Sequence, residues 1–271
     1  MLGCGLVPAA EARFVRLPPG RYLSVGRFYD ALAPWYHLVY HDWEAAIARQ
    51  GEALASLLAA EWGTGVRRVL DAAVGVGTQA LGLAGRGYEM IGCDLSSVAV
   101  RRSKTETARR GLGMRCLVAD LRSLAMRSAS VDAVLACDNA LPHLLSEDEI
   151  RVALIECLRC LRHQGGCVIS LRDYGSPPAS GTVETKDYGD RIWADRACRL
   201  RQVWRWRGEL YDMVFELVAT DRTGEVLMTT PQTTYFAMAP SRVATLMEEV
   251  GFKDVRRLDG CLFQPVLVGT R

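Results

Sequence analysis

The stretch Val69-Leu70-Asp71-Ala72-Ala73-Val74-Gly75-Val76-Gly77-Thr78 constrains the fold of this chain more than any other, because an apolar run ends in a carboxylate and enters a Gly-x-Gly turn. Such a run reads as a buried strand, and the glycines let the backbone approach a ligand at angles that a side chain would forbid. A helix expected from about Thr78 to Ala84 then aims its free N–H groups at that ligand. The next apolar run, Ile91-Gly92-Cys93, closes on Asp94. An acid at the tip of a neighbouring strand can accept hydrogen bonds from a ribose hydroxyl pair. Two other readings of the turn stay open. Gly75-Val76-Gly77-Thr78-Gln79-Ala80 also fits the G-x-G-x-x-A form of a dinucleotide site, and a glycine turn can serve packing alone.

Further motifs follow in order. Leu117-Val118-Ala119-Asp120-Leu121 supplies an acid after a third strand, and a fourth strand, Val131 to Cys137, ends at Asp138-Asn139. The series resembles class I S-adenosylmethionine-dependent methyltransferases, whose first motif runs Asp/Glu-x-Gly-x-Gly-x-Gly. Asp71, Gly75 and Gly77 match it, and Ala73 stands at its first glycine. The resemblance implies a Rossmann-like α/β fold, a doubly wound and mostly parallel seven-stranded sheet. It implies S-adenosyl-L-methionine as cofactor, with S-adenosyl-L-homocysteine as product, and a small-molecule methyl acceptor. The cofactor contacts it implies are Asp71, Ala73, Gly75, Gly77, Asp94, Leu95, Asp120, Leu121, Cys137, His143 and Tyr29.

Two short segments narrow the resemblance. Asp138-Asn139-Ala140-Leu141-Pro142-His143-Leu144 is similar to the Gly-Asn-Ser-Phe-x-His-Leu segment of glycine N-methyltransferases, and Val168-Ile169-Ser170-Leu171-Arg172-Asp173-Tyr174 to their Asp-His-Arg-Asn-Tyr segment. Thr234-Tyr235-Phe236 resembles the tyrosine-bearing strand before their last helix. The resemblance implies catalytic roles for Asn139, His143 and Arg172, and acceptor contacts at Asn139, Arg172, Tyr174 and Tyr235. The aromatic N-terminal helix matches more loosely, at Tyr29, Tyr40 and Arg49.

These residue types suit the chemistry. Methyl transfer from a sulfonium is an in-line displacement, so the protein must align a lone pair and exclude water; no nucleophilic side chain is needed. The planar Arg172 guanidinium can engage both oxygens of a carboxylate, and Asn139 can add a donor or acceptor. An amine that has already lost its proton needs no base, so His143 is read as an orienting group beside the cofactor, or equally as a hydrogen-bonded histidine at a helix start. Asp138 replaces the family's glycine, Pro142 stiffens the loop, and Asp173 sets a carboxylate next to Arg172, where it could weaken the pull on an anionic acceptor.

The chain has 271 residues, nearly half of them apolar, and a formal net charge of +2, so it can bury a full core and carries no bulk attraction for nucleic acid or anionic membrane. The Asp/Asn-Pro-Pro-aromatic motif of amino-methylating nucleic-acid enzymes is missing at Asp138 to Leu141, so nucleic acid is not expected as a partner; no run approaches 18 apolar residues, so no membrane partner is expected, and homo-oligomerisation stays open. Of nine cysteines, Cys93, Cys116, Cys137 and Cys167 lie in or beside strand patterns. Cys157 and Cys160 form a C-x-x-C inside an amphipathic helix expected from Ile150 to Arg162, with no second pair at zinc spacing, so no metal site is expected. The cysteine usage suits a reducing cytoplasm.

Four regions are expected: an irregular arm over residues 1–26, N-terminal helices and cofactor core over 27–183, an antiparallel β insertion over 184–238, and a closing helix and strands over 239–271. In the insertion, strand-like runs span Arg199 to Trp206, Glu209 to Thr220 and Glu225 to Ala237, with Arg207-Gly208 and Asp221 to Gly224 as turns. At the carboxyl edge of a doubly wound sheet such an insertion can form a lid, or serve packing or dimerisation. The acceptor also stays open: an O- or C-methyltransferase of a larger metabolite, or a non-catalytic cofactor-binding protein, would share every cofactor motif.

Overall fold

Apolar runs without polar alternation pair into a sheet covered on both faces, as parallel strands require. The computed structural model describes residues 25–193, 196–221 and 224–271. The described residues begin with α1 (Val25–Leu32), a 3-10 turn at Tyr36–Val39 and α2 (Trp43–Trp62). The core then alternates: β1 (Arg68–Asp71), α3 (Thr78–Ala84), β2 (Glu89–Asp94), α4 (Ser97–Arg109), β3 (Met114–Val118), β4 (Val131–Ala136), a 3-10 turn at Leu141–His143, α5 (Glu147–Cys160) and β5 (Leu161–Ser170). After the insertion come α6 (Pro240–Val250), β11 (Lys253–Leu258) and β12 (Val266–Thr270). The seven-stranded sheet has the order β11-β12-β5-β4-β1-β2-β3. β1 runs parallel to β2 and β4, while β12 runs antiparallel to β5 and to β11. The order reverses beside β1, which is where ligands of doubly wound sheets bind.

One core packs α5 and α6 onto the sheet around Leu154, Ile169 and Leu246. The other packs α2 and α3 around Leu54, Leu58 and Leu83. Here the helices nearly touch: a Cβ on Gly82 would lie 2.4 Å from the Ile47 carbonyl oxygen, so the crossing admits glycine alone.

The insertion is a second sheet. It comprises β6 (Val183–Trp193), β7 (Arg196–Arg207), β8 (Leu210–Asp221), β9 (Gly224–Thr229) and β10 (Thr233–Phe236), in the order β10-β8-β7-β6 with β9 also on β8. Its inner face, with Trp204, Tyr211, Met213 and Phe215, packs on Phe28, Leu32, Trp35 and Leu38 of the N-terminal helices. The sheet is therefore anchored across the chain.

Three expectations need correction. The run Glu225 to Ala237 is two strands, because Pro231 between β9 and β10 cannot donate to the ladder. Strand β6 escaped notice because its charged sequence, Val-Glu-Thr-Lys-Asp-Tyr-Gly-Asp-Arg-Ile-Trp, is that of an edge strand open to solvent. The helix expected to reach Arg162 stops at Cys160, since Leu161 turns extended and starts β5. Cys157 and Cys160 are buried in the core, and among the described residues no group of side chains could hold a metal ion. Residues 1–24 of the expected arm lie outside the described residues, and Val25 and Gly26 already belong to α1. Among the described residues no helix is long and apolar enough to cross a membrane.

Candidate active site

Two cavities meet at the carboxyl edge of the parallel sheet. The first is lined by the β1 turn from Ala72 to Val76, by Asp94 and Leu95 after β2, by Ala119 to Arg122 after β3, and by Cys137, Asp138, His143 and Leu144 after β4; Val25, Tyr29 and Tyr36 border it from the N-terminal helices. Backbone groups shape this pocket. Gly75 sits at φ 52° and donates its N–H to Asp94 Oδ2 at 2.8 Å, while Ser96 donates its N–H to Asp94 Oδ1 at 2.8 Å. Burial raises the pKa of Asp94 and these amides oppose it. Asp120 is held by Arg122, which lowers its pKa.

Most residues expected on the cofactor side line this pocket: Ala73, Gly75, Asp94, Leu95, Asp120, Leu121, Cys137, His143 and Tyr29. Gly77 and Asp71 lie behind it. Gly77 caps α3 at φ 103°, where a Cβ would stand 2.9 Å from Ser103 Oγ. Asp71 is 1% exposed, its Oδ1 accepts from the Ala73 N–H at 3.3 Å, and its Oδ2 is buried without a partner. Burial pushes its pKa up to about 7.

The second cavity holds about 440 Å³. Its walls come from far-apart segments: Tyr29, Tyr36, Tyr40, Arg49 and Gln50 from the N-terminal region, Asp138 and Asn139 after β4, Arg172 after β5, Tyr188, Gln202, Tyr211, Met213, Phe215 and Tyr235 from the insertion sheet, and Cys261 to Phe263 from the loop before β12. Tyr29, Tyr36 and Asp138 line both cavities.

At that junction the side chains are specifically held. Tyr36 Oη donates to Asp138 Oδ2 at 2.6 Å, and Tyr40 Oη donates to the same oxygen at 3.3 Å. Burial raises the Asp138 pKa against the pull of Tyr36, Arg172 and Tyr40. Tyr29 Oη meets His143 Nε2 at 2.8 Å, and the His143 ring lies 4.0 Å from that of Tyr235. Burial depresses the His143 pKa to about 3, the Thr234 backbone opposing it, and Nδ1 closes no hydrogen bond of ordinary geometry. His143 is thus a neutral ring near neutral pH, on the first cavity and not the second.

Asn139 and Arg172 do come together, but through the backbone. Asn139 Oδ1 accepts from the Arg172 N–H at 2.9 Å, and its Nδ2 donates to Tyr174 Oη, which in turn meets Tyr211 Oη at 2.8 Å. This chain ties the β4 and β5 loops to the insertion sheet. The Arg172 guanidinium lies 4.5 Å over the Trp204 ring and pairs with no carboxylate among the described residues. Tyr174 lines an outer cleft with Lys186 and Trp206, not the 440 Å³ cavity, so the expected acceptor contact is corrected to a support. Asp173 turns away to Arg257 at 2.6 Å, which removes the feared competition for Arg172.

Known proteins resemble this chain. A family model described as a methyltransferase domain matches residues 69–165. The glycine/sarcosine N-methyltransferase of Aphanothece halophytica is 26% identical over 226 residues, covering 82% of this chain and 77% of that protein. The enzyme of the same name from Parasynechococcus marenigrum is 30% identical over 157 residues, covering 58% of this chain and 54% of that one. This chain is a class I S-adenosylmethionine-dependent methyltransferase. Its fold also matches the S-adenosylmethionine-bound structure of CalS10, an amino pentose methyltransferase from Micromonospora echinaspora, with TM-score 0.71 at 18% identity, covering 94% of this methyltransferase and all of that chain.

The sequence pointed to the Asp138-Asn139 strand end as a contact region without a specific part for Asp138, and named no role for Tyr36, Tyr188, Gln202, Tyr211, Met213 or Phe215. A signal existed in β8: Tyr211, Met213, Phe215 and Leu217 alternate with period two, which puts them on one face. The face they would line was not readable without the topology.

Proposed function

We propose that this methyltransferase acts on the amine of a small acceptor bearing a carboxylate, glycine being the simplest. The observation that carries the proposal is Arg172, a guanidinium in the wall of a cavity that opens onto the cofactor pocket, with no carboxylate partner among the described residues. The guanidinium is half-buried and also borders the outer cleft beside Tyr174, so its donors can take up an anionic ligand group. The names of the curated relatives support the amine.

The residues of the first cavity fit S-adenosylmethionine. Gly75 keeps the turn free of a side chain, and the Asp94 carboxylate suits a ribose diol. When bound, the cofactor supplies a methyl on a sulfonium, which leaves as part of a neutral thioether. Tyr29, Tyr36 and Asp138 line the passage between the cavities, where the reacting atoms would meet. Arg172 would fix the acceptor at one end, so that its nitrogen is presented at this passage. His143, neutral and bonded to Tyr29, orients that tyrosine.

One observation favours a second reading. The cavity of about 440 Å³, walled by Tyr188, Phe215 and Phe263, offers far more room than glycine fills, which suits a larger metabolite methylated on nitrogen or oxygen. Mass spectrometry of products from S-adenosylmethionine with a mixture of amino acids, amino sugars and phenols separates the two. Methylated glycine or another amino acid supports the first, and a methylated phenol or alcohol alone overturns it.

A further inference from the structure

Asp138 is a half-buried carboxylate with no counter-ion in ion-pair contact among the described residues, and it lies where the two cavities join. The backbone there is left-handed: Asp138 has φ 56° and the following Asn139 has φ 65°. Glycine holds this conformation with no side-chain clash, and Asp and Asn enter it more readily than other L residues. The backbone would therefore accept glycine at position 138, and the carboxylate is an addition to what the turn needs. Tyr36 and Tyr40 both donate to Oδ2, so their hydroxyls fix the carboxylate in place, and no described residue donates to Oδ1. Oδ1 is the acceptor left for a ligand.

We propose that Asp138 is a catalytic residue of this methyltransferase, binding the acceptor's ammonium group and removing its proton. The proposal rests on the amine reading above and adds to it a base that His143 cannot supply. In the step, an N–H bond of the ammonium breaks to Asp138, leaving a neutral amine. Its lone pair forms the N–C bond to the methyl as the S–C bond breaks, and the sulfonium's positive charge passes to nitrogen. The neutral carboxyl then releases its proton to water. Arg172 and Asp138 thus form a two-ended clamp for a zwitterion, guanidinium for the carboxylate and carboxylate for the ammonium. The groups facing Asp138 are Tyr29 from α1, Tyr36 and Tyr40 from the 3-10 segment, the neighbouring Cys137 thiol, Arg172 after β5 and Tyr188 from β6. Among these only Arg172 is charged, and its charge, with the Tyr36 and Tyr40 hydroxyls, opposes the rise that burial imposes on the Asp138 pKa.

The test compares wild type, Asp138→Asn, Asp138→Gly and Arg172→Ala with S-adenosylmethionine and glycine, sarcosine, phenylglycine, methylamine and glucosamine, across pH 7 to 9. For any amine that the wild type methylates, Asp138→Asn is expected to lower kcat/KM on the order of 100-fold at pH 7. Its rate should climb about tenfold per pH unit, because only amine already deprotonated in solution reacts, while the wild type stays nearly flat. Asp138→Gly should show the same profile with thermal stability no lower than wild type, which a merely structural carboxylate would not give. An Asp138→Asn enzyme with the wild-type rate and pH profile overturns the proposal, as does a wild type that methylates hydroxyl compounds and no amine. If Arg172→Ala leaves methylation of glycine untouched while Asp138→Asn abolishes it, the carboxylate reading fails and the proton acceptor stands.

Discussion

The two cavities that meet at Asp138 are built by different means. The cofactor-side pocket is made of strand ends and turns close together in the chain, and its shape comes from backbone: the Gly75 N–H on Asp94, the cap at Gly77, the amide of Ser96. The acceptor-side cavity is made of side chains from α1 to the loop before β12, and its shape comes from packing between the insertion sheet and the N-terminal helices. The difference separates what a class of enzymes shares from what sets one member apart. Backbone geometry at a sheet edge admits few sequences, whereas a wall of aromatic side chains can be altered residue by residue while the fold persists.

If the cavities are separable in this way, substitutions on one side should leave the other's affinity intact. The largest effect is expected at Arg172. With a carboxylate-bearing amine, Arg172→Ala should lower kcat/KM on the order of 10² to 10³, about 3–4 kcal/mol for loss of charged hydrogen bonds, and Arg172→Lys should fall between. Calorimetric affinity for S-adenosylmethionine should not move, and a matching loss of cofactor affinity would break the comparison. Next in size is Asp94→Ala, expected to weaken S-adenosylmethionine by roughly 2–3 kcal/mol in a variant that still folds. Unchanged affinity there would remove Asp94 from the cofactor site.

The same division explains what could be read in the residues alone. The parallel core was legible because Val69 to Leu70, Ile91 to Cys93 and Val131 to Cys137 are unbroken apolar runs with glycine or acid at their ends. Ala73, Gly75, Asp94 and Asp120 could be named because each lies within a few residues of its strand. Asp138 was placed at a strand end but its specific part escaped, because that part lies in the hydroxyls of Tyr36 and Tyr40, about a hundred positions earlier, and no local pattern links them. Tyr174 was misplaced by one layer: its position after β5 was right, but its hydroxyl serves Asn139 and Tyr211, not the cavity.

A smaller effect follows from two buried groups on the cofactor side. The Asp71 carboxyl titrates near 7 when folded, against about 3.9 when unfolded, so between those values the folded chain holds the extra proton and stability falls as pH rises. His143 does the reverse. Its folded pKa is about 3 against about 6.5 unfolded, so stability rises with pH across that window. The two slopes oppose each other between pH 4 and 6.5. Relative to wild type, Asp71→Asn should therefore gain on the order of 2 kcal/mol from pH 4 to 7, and His143→Gln should lose a similar amount from pH 4 to 6.5. Urea unfolding without cofactor reads both, and variants whose pH dependence parallels wild type would show these groups to be less buried than the structure has them.

The smallest effect probes the joint between the cavities. Tyr174 Oη accepts from Asn139 Nδ2 and meets Tyr211 Oη, so it links the β4 loop to the insertion sheet without lining the acceptor cavity. Tyr174→Phe keeps the ring against Trp204 and Trp206 and removes only the hydroxyl. The Asn139 amide then loses a buried acceptor, which costs about 1 kcal/mol. Because the link holds Asn139, and Asn139 holds the Arg172 backbone, the loss should appear as a several-fold rise in KM for a carboxylate-bearing acceptor and a slight fall in Tm. The affinity for S-adenosylmethionine should stay the same, since neither Tyr174 nor Arg172 borders the cofactor-side pocket. A drop in cofactor affinity equal to the rise in acceptor KM would mean that the two cavities move as one body. Separate responses would place the specificity of this methyltransferase in the insertion sheet and the loop that Tyr174 ties to it.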